Sequence, residues 1–404
     1  MIVPISFCDR ARFAAKLLLV VISCVLAIDP ASAQNPPAIA TRHQRLILPL
    51  TKFYDTPHPL PPGKPGELIR AEPFDDYYLP VDFSATRILY RSLSPSGDAV
   101  AVSGVVLVPD RTPPAGGWPV IAWAHDFVGA ARQCAPSLWR NLYYGPLLSM
   151  YLNLGYAVVA TDYAGLGTDF RSAVIDMQSH ASDVIYSIPA ARAAVPQLGR
   201  RWVAMGSFLG ANVAIAVAEM KSGDRDADYL GSVAISAVPD LEAHYEQMAK
   251  GQSAGALPFL AYGIKTVYPD FDVNDMLTAK ALALYEKIND ECGDLTASSA
   301  IPASEMLKPN WKGNKFVQDF FSRNRLGRKS ASAPLLVIGD DRDPAAPAAM
   351  TSQLMARLCQ QGDRVQFDKI SDPESDLVVG DSVRDQMTWM EARFAGRSAV
   401  NNCH

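Results

Sequence analysis

The sequence has no long run of lysine or arginine and little excess charge of either sign. Its 404 residues include 37 Lys and Arg against 42 Asp and Glu, which gives a net charge of −5 at pH 7. Proteins that bind polyphosphates carry a concentrated basic surface, so the sequence argues against nucleic acid as a partner. With 49% hydrophobic residues, the chain can bury a large core and is neither disordered nor fibrous.

No Cys-x-x-Cys pair occurs, and this absence disfavours a zinc site. We predict no metal and no cofactor. Two of the six cysteines, Cys8 and Cys24, fall in the N-terminal segment. Four cysteines in an oxidising compartment suggest two disulfides, for which three pairings are possible. These four are Cys134, Cys292, Cys359 and Cys403.

The first 33 residues have the pattern of a signal peptide, and their apolar run is too short to span a bilayer. Basic residues precede the run Leu17–Ile28, and the small residues Ala31-Ser32-Ala33 follow it. A run of about a dozen residues falls short of the roughly 20 that a transmembrane helix needs. We therefore expect export to the periplasm or the exterior, with cleavage near Ala33. A lipid-attached form at Cys24 is the alternative, although this cysteine lies inside the apolar run.

Strand-like and helix-like patterns alternate along the rest of the chain. A turn sequence between β-rich stretches predicts a hairpin from Ala85 to Val108. Short apolar runs are typical of parallel strands that are buried on both faces. The alternation predicts an α/β fold, with helices on both faces of a mostly parallel sheet. The predicted strands are 119–124, 156–160, 202–205, 230–237, 334–339 and 365–370, and the first two predicted helices are 181–195 and 211–220.

The strand patterns stop between residues 241 and 330, where a helix-rich segment carries many aromatic side chains. We interpret this segment as a cap over the carboxyl ends of the strands, where open α/β sheets bind ligands. An ordinary helical subdomain without a ligand is the alternative. The predicted division is a signal peptide at 1–33, a Pro-rich N-terminal extension at 34–82, a core at 83–240 and 331–404, and a helical cap at 241–330.

Two glycines four positions apart, Gly206 and Gly210, join a predicted strand to a predicted helix. This spacing is the frame of a nucleophile elbow, a strained turn whose central residue must have tiny second neighbours. The central residue is Phe208, and a phenyl ring has no nucleophilic atom. A turn centred on Ser207 would put a methionine and a leucine at the crowded positions. An ordinary strand-glycine-helix turn is the simpler alternative.

Histidine is scarce where such a site needs its general base. α/β hydrolases present nucleophile, acid and base in that chain order, and the acid candidate Asp343 follows the predicted strand 334–339. The only later histidine is His404, at a terminus that would hold an imidazole poorly. Ser375 stands where the base is expected, after the last strand, and its hydroxyl cannot act as a base near neutral pH. Two of the three chemical roles are therefore empty.

Together these features resemble the secretory lipases, a family of exported α/β hydrolases. The matching stretches keep the family's order from about Phe83 to the C-terminus, and they include the elbow frame. They also include Trp123-Ala-His-Asp126, Gly155–Gly167 and Asp343-Pro-Ala-Ala-Pro347. The resemblance implies an α/β-hydrolase fold with a cap, and the activity of a lipase or esterase.

The family's functional positions carry over residue by residue. The triad would fall on Phe208, Asp343 and Ser375, of which only the aspartate keeps the family's residue type. The oxyanion hole would use the backbone N–H groups of Asp126 and Leu209. The chain therefore resembles a hydrolase with a degenerate triad.

The resemblance also implies which cysteines pair. Cys134, beside the oxyanion loop, would bond to Cys292 in the cap, and Cys359 would bond to Cys403 in the tail. Both predicted disulfides are retained although two triad positions have lost their chemistry. This combination suggests that the folded protein still has a function.

Three functions follow from these observations. The empty catalytic roles favour a non-catalytic exported protein that binds an apolar or acyl ligand in a capped pocket. The second hypothesis is a working lipase or esterase, similar to a triacylglycerol lipase, whose non-standard nucleophile is Ser207, assisted by His125 or another distant histidine. The third is a structural or interaction protein whose cap contacts a partner. The oligomeric state is not fixed by the sequence.

Overall fold

The computed structural model describes residues 46–220, 228–250, 255–290, 292–293, 301–340, 348–370 and 378–403. Within the chain, Leu48–His404 form one compact unit. The predicted signal peptide and the lipid-attachment alternative at Cys24 lie outside the described residues, as do Asp343, Ser375 and His404.

One sheet organises the described part of the chain. Its strands are β1 (Leu68–Pro73), β2 (Phe83–Leu93), β3 (Ala99–Pro109), β4 (Trp118–Ala124), β5 (Ala157–Thr161), β6 (Leu198–Ser207), β7 (Asp228–Ile235), β8 (Leu335–Asp340) and β9 (Val365–Ile370). Their order in the sheet is β1-β2-β3-β5-β4-β6-β7-β8-β9. The pairings from β1 to β5 are antiparallel, and those from β5 through β4 to β9 are parallel.

Helices lie in the connections between the parallel strands and after the last strand. They are α1 (Gly145–Asn153), α2 (Met177–Ala194), α3 (Leu209–Glu219), α4 (Leu241–Met248), α5 (Leu257–Val267), α6 (Ala279–Tyr285), α7 (Lys315–Arg323), α8 (Ala348–Gln360), α9 (Val378–Asp381) and α10 (Val383–Phe394). Short 3₁₀ turns lie at Lys52–Tyr54, Arg132–Cys134, Pro136–Leu138, Val273–Asp275, Ala303–Glu305 and Trp311–Gly313.

Strand β4 shows why helices must cover both faces of the sheet. Val120 and Ala122 point to the core layer that contains buried residues of α2 and α3. Ile121 and Trp123 point to the opposite layer, with buried residues of α1 and α10. A strand that is apolar on both faces is stable only when helices cover both. The predicted α/β architecture, a mostly parallel sheet with helices on both faces, is confirmed.

Strand β1 and helix α1 are absent from the sequence prediction. Strand β1 lies inside segment 34–82, which the sequence predicts as an N-terminal extension. It pairs with β2. Its last residue is Pro73, and proline fits an edge position because it donates no ladder hydrogen bond. Helix α1 begins with Gly145-Pro146, a pair that signals a turn in sequence, whereas proline is favoured in the first turn of a helix.

The helices α4 to α7 lie between β7 and β8 in the chain, in the segment predicted as the cap. Their buried aromatic side chains, such as Phe259, Tyr262 and Phe320, belong to the same core layer as α2 and α3. The boundaries of the cap remain a prediction. Among the described ranges, none of the helices combines the length and hydropathy that a bilayer crossing requires.

The two disulfides implied by the family resemblance are present. Cys134 is bonded to Cys292, and Cys359 to Cys403, across sequence separations of 158 and 44 residues. The first bond joins the loop after β4 to the segment after α6. The second ties the end of α8 to the C-terminal tail, so both restrict long loops of the unfolded chain.

We expect removal of either disulfide to lower stability. The Cys359→Ser/Cys403→Ser and Cys134→Ser/Cys292→Ser variants should each lose about 2–5 kcal/mol of unfolding free energy, and the second should lose more because its disulfide closes the longer loop. Equilibrium unfolding in urea measures both differences. Wild-type stability in either variant would contradict the prediction.

Candidate active site

The turn between β6 and α3 has the backbone of a strained elbow. Phe208, its single linking residue, has φ 52° and ψ −116°. This conformation is costly for a residue with a side chain and persists only where the surrounding structure enforces it. The Phe208 side chain is 37% exposed, although most large apolar residues of the chain are buried. The elbow therefore projects a phenyl ring outward at its apex.

Close packing on both sides of the turn explains the conformation. A Cβ atom built on Gly206 would overlap the carbonyl oxygen of Gly210, and one built on Gly210 would overlap that of Ala124. Strand β4, strand β6 and helix α3 thus approach each other at backbone distance. Only glycine fits at these two positions.

Ser207 lies at the end of β6, opposite Ile235 of β7. It is 2% exposed, so its hydroxyl is not presented at the apex of the turn. The structure places Phe208 there instead. The assignment of Phe208 to the nucleophile position, and of Ser207 as the alternative nucleophile, stays a prediction.

The two backbone amides of the predicted oxyanion hole both have partners within the protein. The Leu209 N–H donates to Oδ1 of Asp126 over 3.0 Å. The Asp126 N–H donates to the hydroxyl of Tyr144 over 2.9 Å. An oxyanion hole acts through N–H groups aimed at a developing negative charge. Here the carboxyl of Asp126 already accepts from one of these two groups.

Burial raises the pKa of Asp126 to about 6, although hydrogen bonds from the backbone N–H groups of Phe127 and Leu209 act in the opposite direction. Burial, followed by the nearby charge of Asp126, also raises the pKa of Tyr144 well above its usual value. Tyr144 therefore stays protonated and can serve as an acceptor and a donor at the same time.

A stack of three buried rings supports the loop that carries Asp126. The ring of Tyr163 lies 4.2 Å from that of His125 and 4.0 Å from that of His180, measured between centroids. His125 Nδ1 lies 2.6 Å from the carbonyl oxygen of Asp126, and Nε2 lies 3.1 Å from that of Asp162. Both ring nitrogens of His125 thus lie next to backbone carbonyl oxygens of the oxyanion loop and of the end of β5.

Burial lowers the pKa of His125 to about 4 and that of His180 to about 3. Both imidazoles are therefore neutral at neutral pH. Neither ring nitrogen of His180 has a hydrogen-bond partner among the described residues. Protonation of a buried imidazole without hydrogen-bond partners costs free energy, because burial disfavours the charged form.

The turn after β5 is fixed by Asp162. This buried carboxylate accepts from Ser103 Oγ at 2.6 Å, from Ser137 Oγ at 2.5 Å and from the Ser137 N–H at 2.8 Å. The next residue, Tyr163, has a positive φ of 66°, and Gly165 has 91°. The strand-end turn therefore positions Tyr163 beneath the oxyanion loop.

A cavity of about 230 Å³ opens in front of Phe208. Apolar side chains from the oxyanion loop, α3, α4 and the start of α5 supply most of its wall, and Asp126 and His244 are among its few polar groups. Its lining is Asp126, Phe127, Ile175, Phe208, Leu209, Asn212, Val238, Leu241, His244, Tyr245, Met248, Ala256 and Phe259.

His244 is a residue of the site that the sequence did not indicate. Leu241, His244, Tyr245 and Met248 recur at a spacing of three or four residues, which puts them on one face of α4. All four line the cavity. The helical spacing of these four residues indicates that they share a face of α4. Nothing in the sequence indicates that this face lies toward Phe208. Among the described residues, no cluster of His, Cys, Asp or Glu could hold a metal ion.

The remaining predicted triad positions lie outside the described residues. Asp343 follows β8 in the chain, and Ser375 follows β9. Both assignments stay predictions that rest on the family resemblance.

A methyl group at Gly210 tests the close packing of the elbow. We expect Gly210→Ala to lower the unfolding free energy by about 1–3 kcal/mol, because the new Cβ meets the Ala124 carbonyl and forces β4 and α3 apart. Gly313→Ala is the matched control, since a Cβ atom added at Gly313 would meet nothing within 4 Å beyond its chain neighbours. Urea unfolding of both variants measures the difference, and equal stabilities would contradict the proposed packing.

Acid should destabilise the protein partly through His180. The pKa of His180 is lower in the folded protein, so below about pH 6.5 the unfolded chain binds the extra proton, and stability falls by up to about 1.4 kcal/mol per pH unit. His180→Phe retains a ring against Tyr163 and should reduce this loss. Unfolding free energies between about pH 7 and pH 4 measure the slopes.

The buried carboxyl groups act with the opposite sign. Burial raises the pKa of Asp183 to about 7 and that of Asp126 to about 6, so their contributions favour the folded state as the pH falls. The difference between the wild type and His180→Phe cancels these contributions. Parallel pH profiles for the two proteins would show that His180 does not contribute.

Comparisons with known proteins agree with this architecture. A family profile described as "Secretory lipase" matches residues 145–402, which is more than half of the chain. A sequence comparison with curated proteins gives no match.

Solved structures of esterases and lipases share the fold at low sequence identity. Candida antarctica lipase A matches with a TM-score of 0.75 and 16% identity, over 88% of this chain and 89% of the other. The rice cell wall degrading esterase LipA from Xanthomonas oryzae matches with a TM-score of 0.69 and 17% identity, over 83% and 99%.

A putative hydrolase from Legionella pneumophila matches with a TM-score of 0.69 and 20% identity, over 83% of this chain and 100% of the other. At these identities the structural likeness establishes the fold, and the family profile establishes the kinship. The chain therefore belongs to the secretory lipase family.

Proposed function

We propose that this protein is an exported, non-catalytic member of the secretory lipase family that binds a small apolar or acyl ligand in front of Phe208. The observation that carries the proposal is the phenyl ring at the apex of the elbow, at φ 52°. Acyl transfer by this fold begins with attack by a side-chain oxygen at that apex. Carbon and hydrogen atoms of a phenyl group cannot perform the attack.

The partners of the oxyanion loop support the same proposal. Asp126 accepts from the Leu209 N–H, and Tyr144 accepts from the Asp126 N–H. A carboxylate beside the amides would oppose the negative charge that develops on an ester carbonyl during hydrolysis. Phe208 remains the main ground for the proposed loss of catalysis.

The cavity supports binding. Its wall is mostly apolar, and burying a methylene group in such a wall is worth about 0.8 kcal/mol. At about 230 Å³ it is smaller than the roughly 300–1,000 Å³ of pockets for drug-sized ligands. We therefore expect a short or medium-length chain rather than a triacylglycerol.

Export is consistent with family membership and with the two disulfides, which persist in oxidising compartments. Cleavage near Ala33 is part of the proposal, as is the division into a core and a cap at 241–330. The cap helices α4 and α5 supply much of the cavity wall, which is the role that a cap would have.

The absence of esterase activity is the first test. The mature protein should hydrolyse p-nitrophenyl butyrate no faster than buffer and should form no fluorophosphonate adduct. Buried in β6, Ser207 lacks the exposure that a nucleophile needs. Hydrolysis above buffer that disappears in Ser207→Ala or Asp343→Ala, or an adduct mapped to Ser207, would overturn the non-catalytic assignment in favour of an active esterase.

Ligand binding is the second test, with 1-octanol as the probe. Isothermal titration calorimetry should detect binding to the wild type. Ala256→Trp should weaken it by at least about tenfold, because the indole fills part of the cavity. Ala115→Trp, in an exposed loop, is the matched control and should bind like the wild type. No binding to the wild type, or equal binding to all three proteins, would count against a ligand pocket at this place.

A further inference from the structure

The side chain of Asp126 supplies a negative group at the polar end of the cavity in front of Phe208. We propose that this carboxyl makes the cavity selective for ligands whose polar end donates a hydrogen bond or carries a positive charge, such as a medium-chain alcohol or amine. Ligands with an anionic end, such as a fatty acid or another acyl carboxylate, are rejected. This inference rests on the proposed binding function and specifies its ligand class.

The Asp126 carboxyl lies at the N-terminus of helix α3. Asp126 Oδ1 accepts from the Leu209 N–H over 3.0 Å, at the first residue of helix α3. A helix N-terminus with an exposed amide would attract an anion. In this protein the side chain of Asp126 occupies that attractive position. An anionic ligand would therefore meet a like charge where the fold would otherwise favour it.

The other polar groups of the cavity do not offset this charge. The side chain of Asn212 is engaged with Val238, whose N–H donates to it over 2.9 Å and whose carbonyl accepts from it over 2.8 Å. No lysine or arginine is among the lining residues that the structure describes. A carboxylate can accept about four hydrogen bonds, and two backbone N–H groups use part of that capacity. A hydroxyl or ammonium group of a ligand can use the rest.

Several titratable groups surround Asp126. Tyr143 and Tyr144 face it from the loop before α1 and the start of that helix, and Tyr163 faces it from the turn after β5. His125 precedes it in the chain, and His244 lines the same cavity from α4. Burial raises the pKa of all three tyrosines, so they are neutral across the physiological range. His244 is the group whose titration must be separated from that of Asp126.

The raised pKa of Asp126, about 6, gives the selectivity a pH dependence. Above this pH the carboxyl is charged and opposes anions. Below it the carboxyl is neutral and can donate a hydrogen bond, so discrimination against anions weakens. The expected sign is thus a preference for alcohol or amine over anion that grows as the pH rises from about 5 to about 8.

Three eight-carbon probes test the inference, because their charges stay fixed over this pH range. They are 1-octanol, octylammonium and octanesulfonate, titrated calorimetrically into the full mature protein at about pH 5 and about pH 8. We expect the sulfonate to bind at least about tenfold more weakly than the alcohol at the higher pH, with a smaller gap at the lower pH. Equal binding of the alcohol and the sulfonate at the higher pH would refute the selectivity while leaving the apolar pocket intact.

Variants of Asp126 and His244, with a control at Asp75, show which group causes the discrimination against anions and its pH dependence. Asp126→Asn retains an acceptor for the Leu209 N–H but cannot ionise, so it should improve sulfonate binding and remove the pH dependence. Asp75→Asn changes the net charge equally at an exposed position and should behave like the wild type. A pH dependence that survives in Asp126→Asn and disappears in His244→Gln would assign the effect to His244 and overturn the inference. Failure of all three probes to bind the wild type would refute the ligand pocket itself.

Discussion

The close approach of β4, β6 and α3 at two glycines is the constraint on which the site depends. Because Gly206 and Gly210 leave no room for a Cβ atom, the single residue that joins strand to helix must turn sharply, at φ 52°. Such a backbone costs of order 1–3 kcal/mol for a residue with a side chain. The packing of the sheet must offset that cost whatever side chain stands at the apex, so the turn is kept with a phenyl ring at its apex.

The same turn determines what the site can bind. It directs the Leu209 N–H into the cavity, where Asp126 accepts it, and it places Phe208 against an apolar wall. In an active hydrolase these amides would stabilise a developing oxyanion. In this chain a carboxyl accepts from one of them, and we propose that it shifts the electrostatic preference of the site from anions toward hydrogen-bond donors. The proposed binding function therefore uses the backbone geometry of the elbow with different side-chain chemistry at Phe208 and Asp126.

The supporting structure holds the predicted oxyanion loop in place. The two disulfides join this loop to the segment after α6 and the end of α8 to the tail. Beneath the loop, the stacked rings of His125, Tyr163 and His180 are held neutral by burial. The first disulfide and the ring stack restrain the loop that carries Asp126. A rigid loop is what a selective binding site requires, because a mobile carboxyl would move away from a ligand that it repels.

The α/β fold, the elbow frame and the family could all be predicted from the order of the amino acids. Runs such as Pro119–Ala124 and the spacing of Gly206 and Gly210 are local signals, because sheet burial and tight turns restrict residue type directly. The packing of the folded chain was needed to show that Asp126 accepts from the amide of Leu209, 83 residues away, and that α4 turns His244 toward Phe208. Such contacts depend on how distant elements pack, and nothing in the neighbouring residues of either partner encodes them.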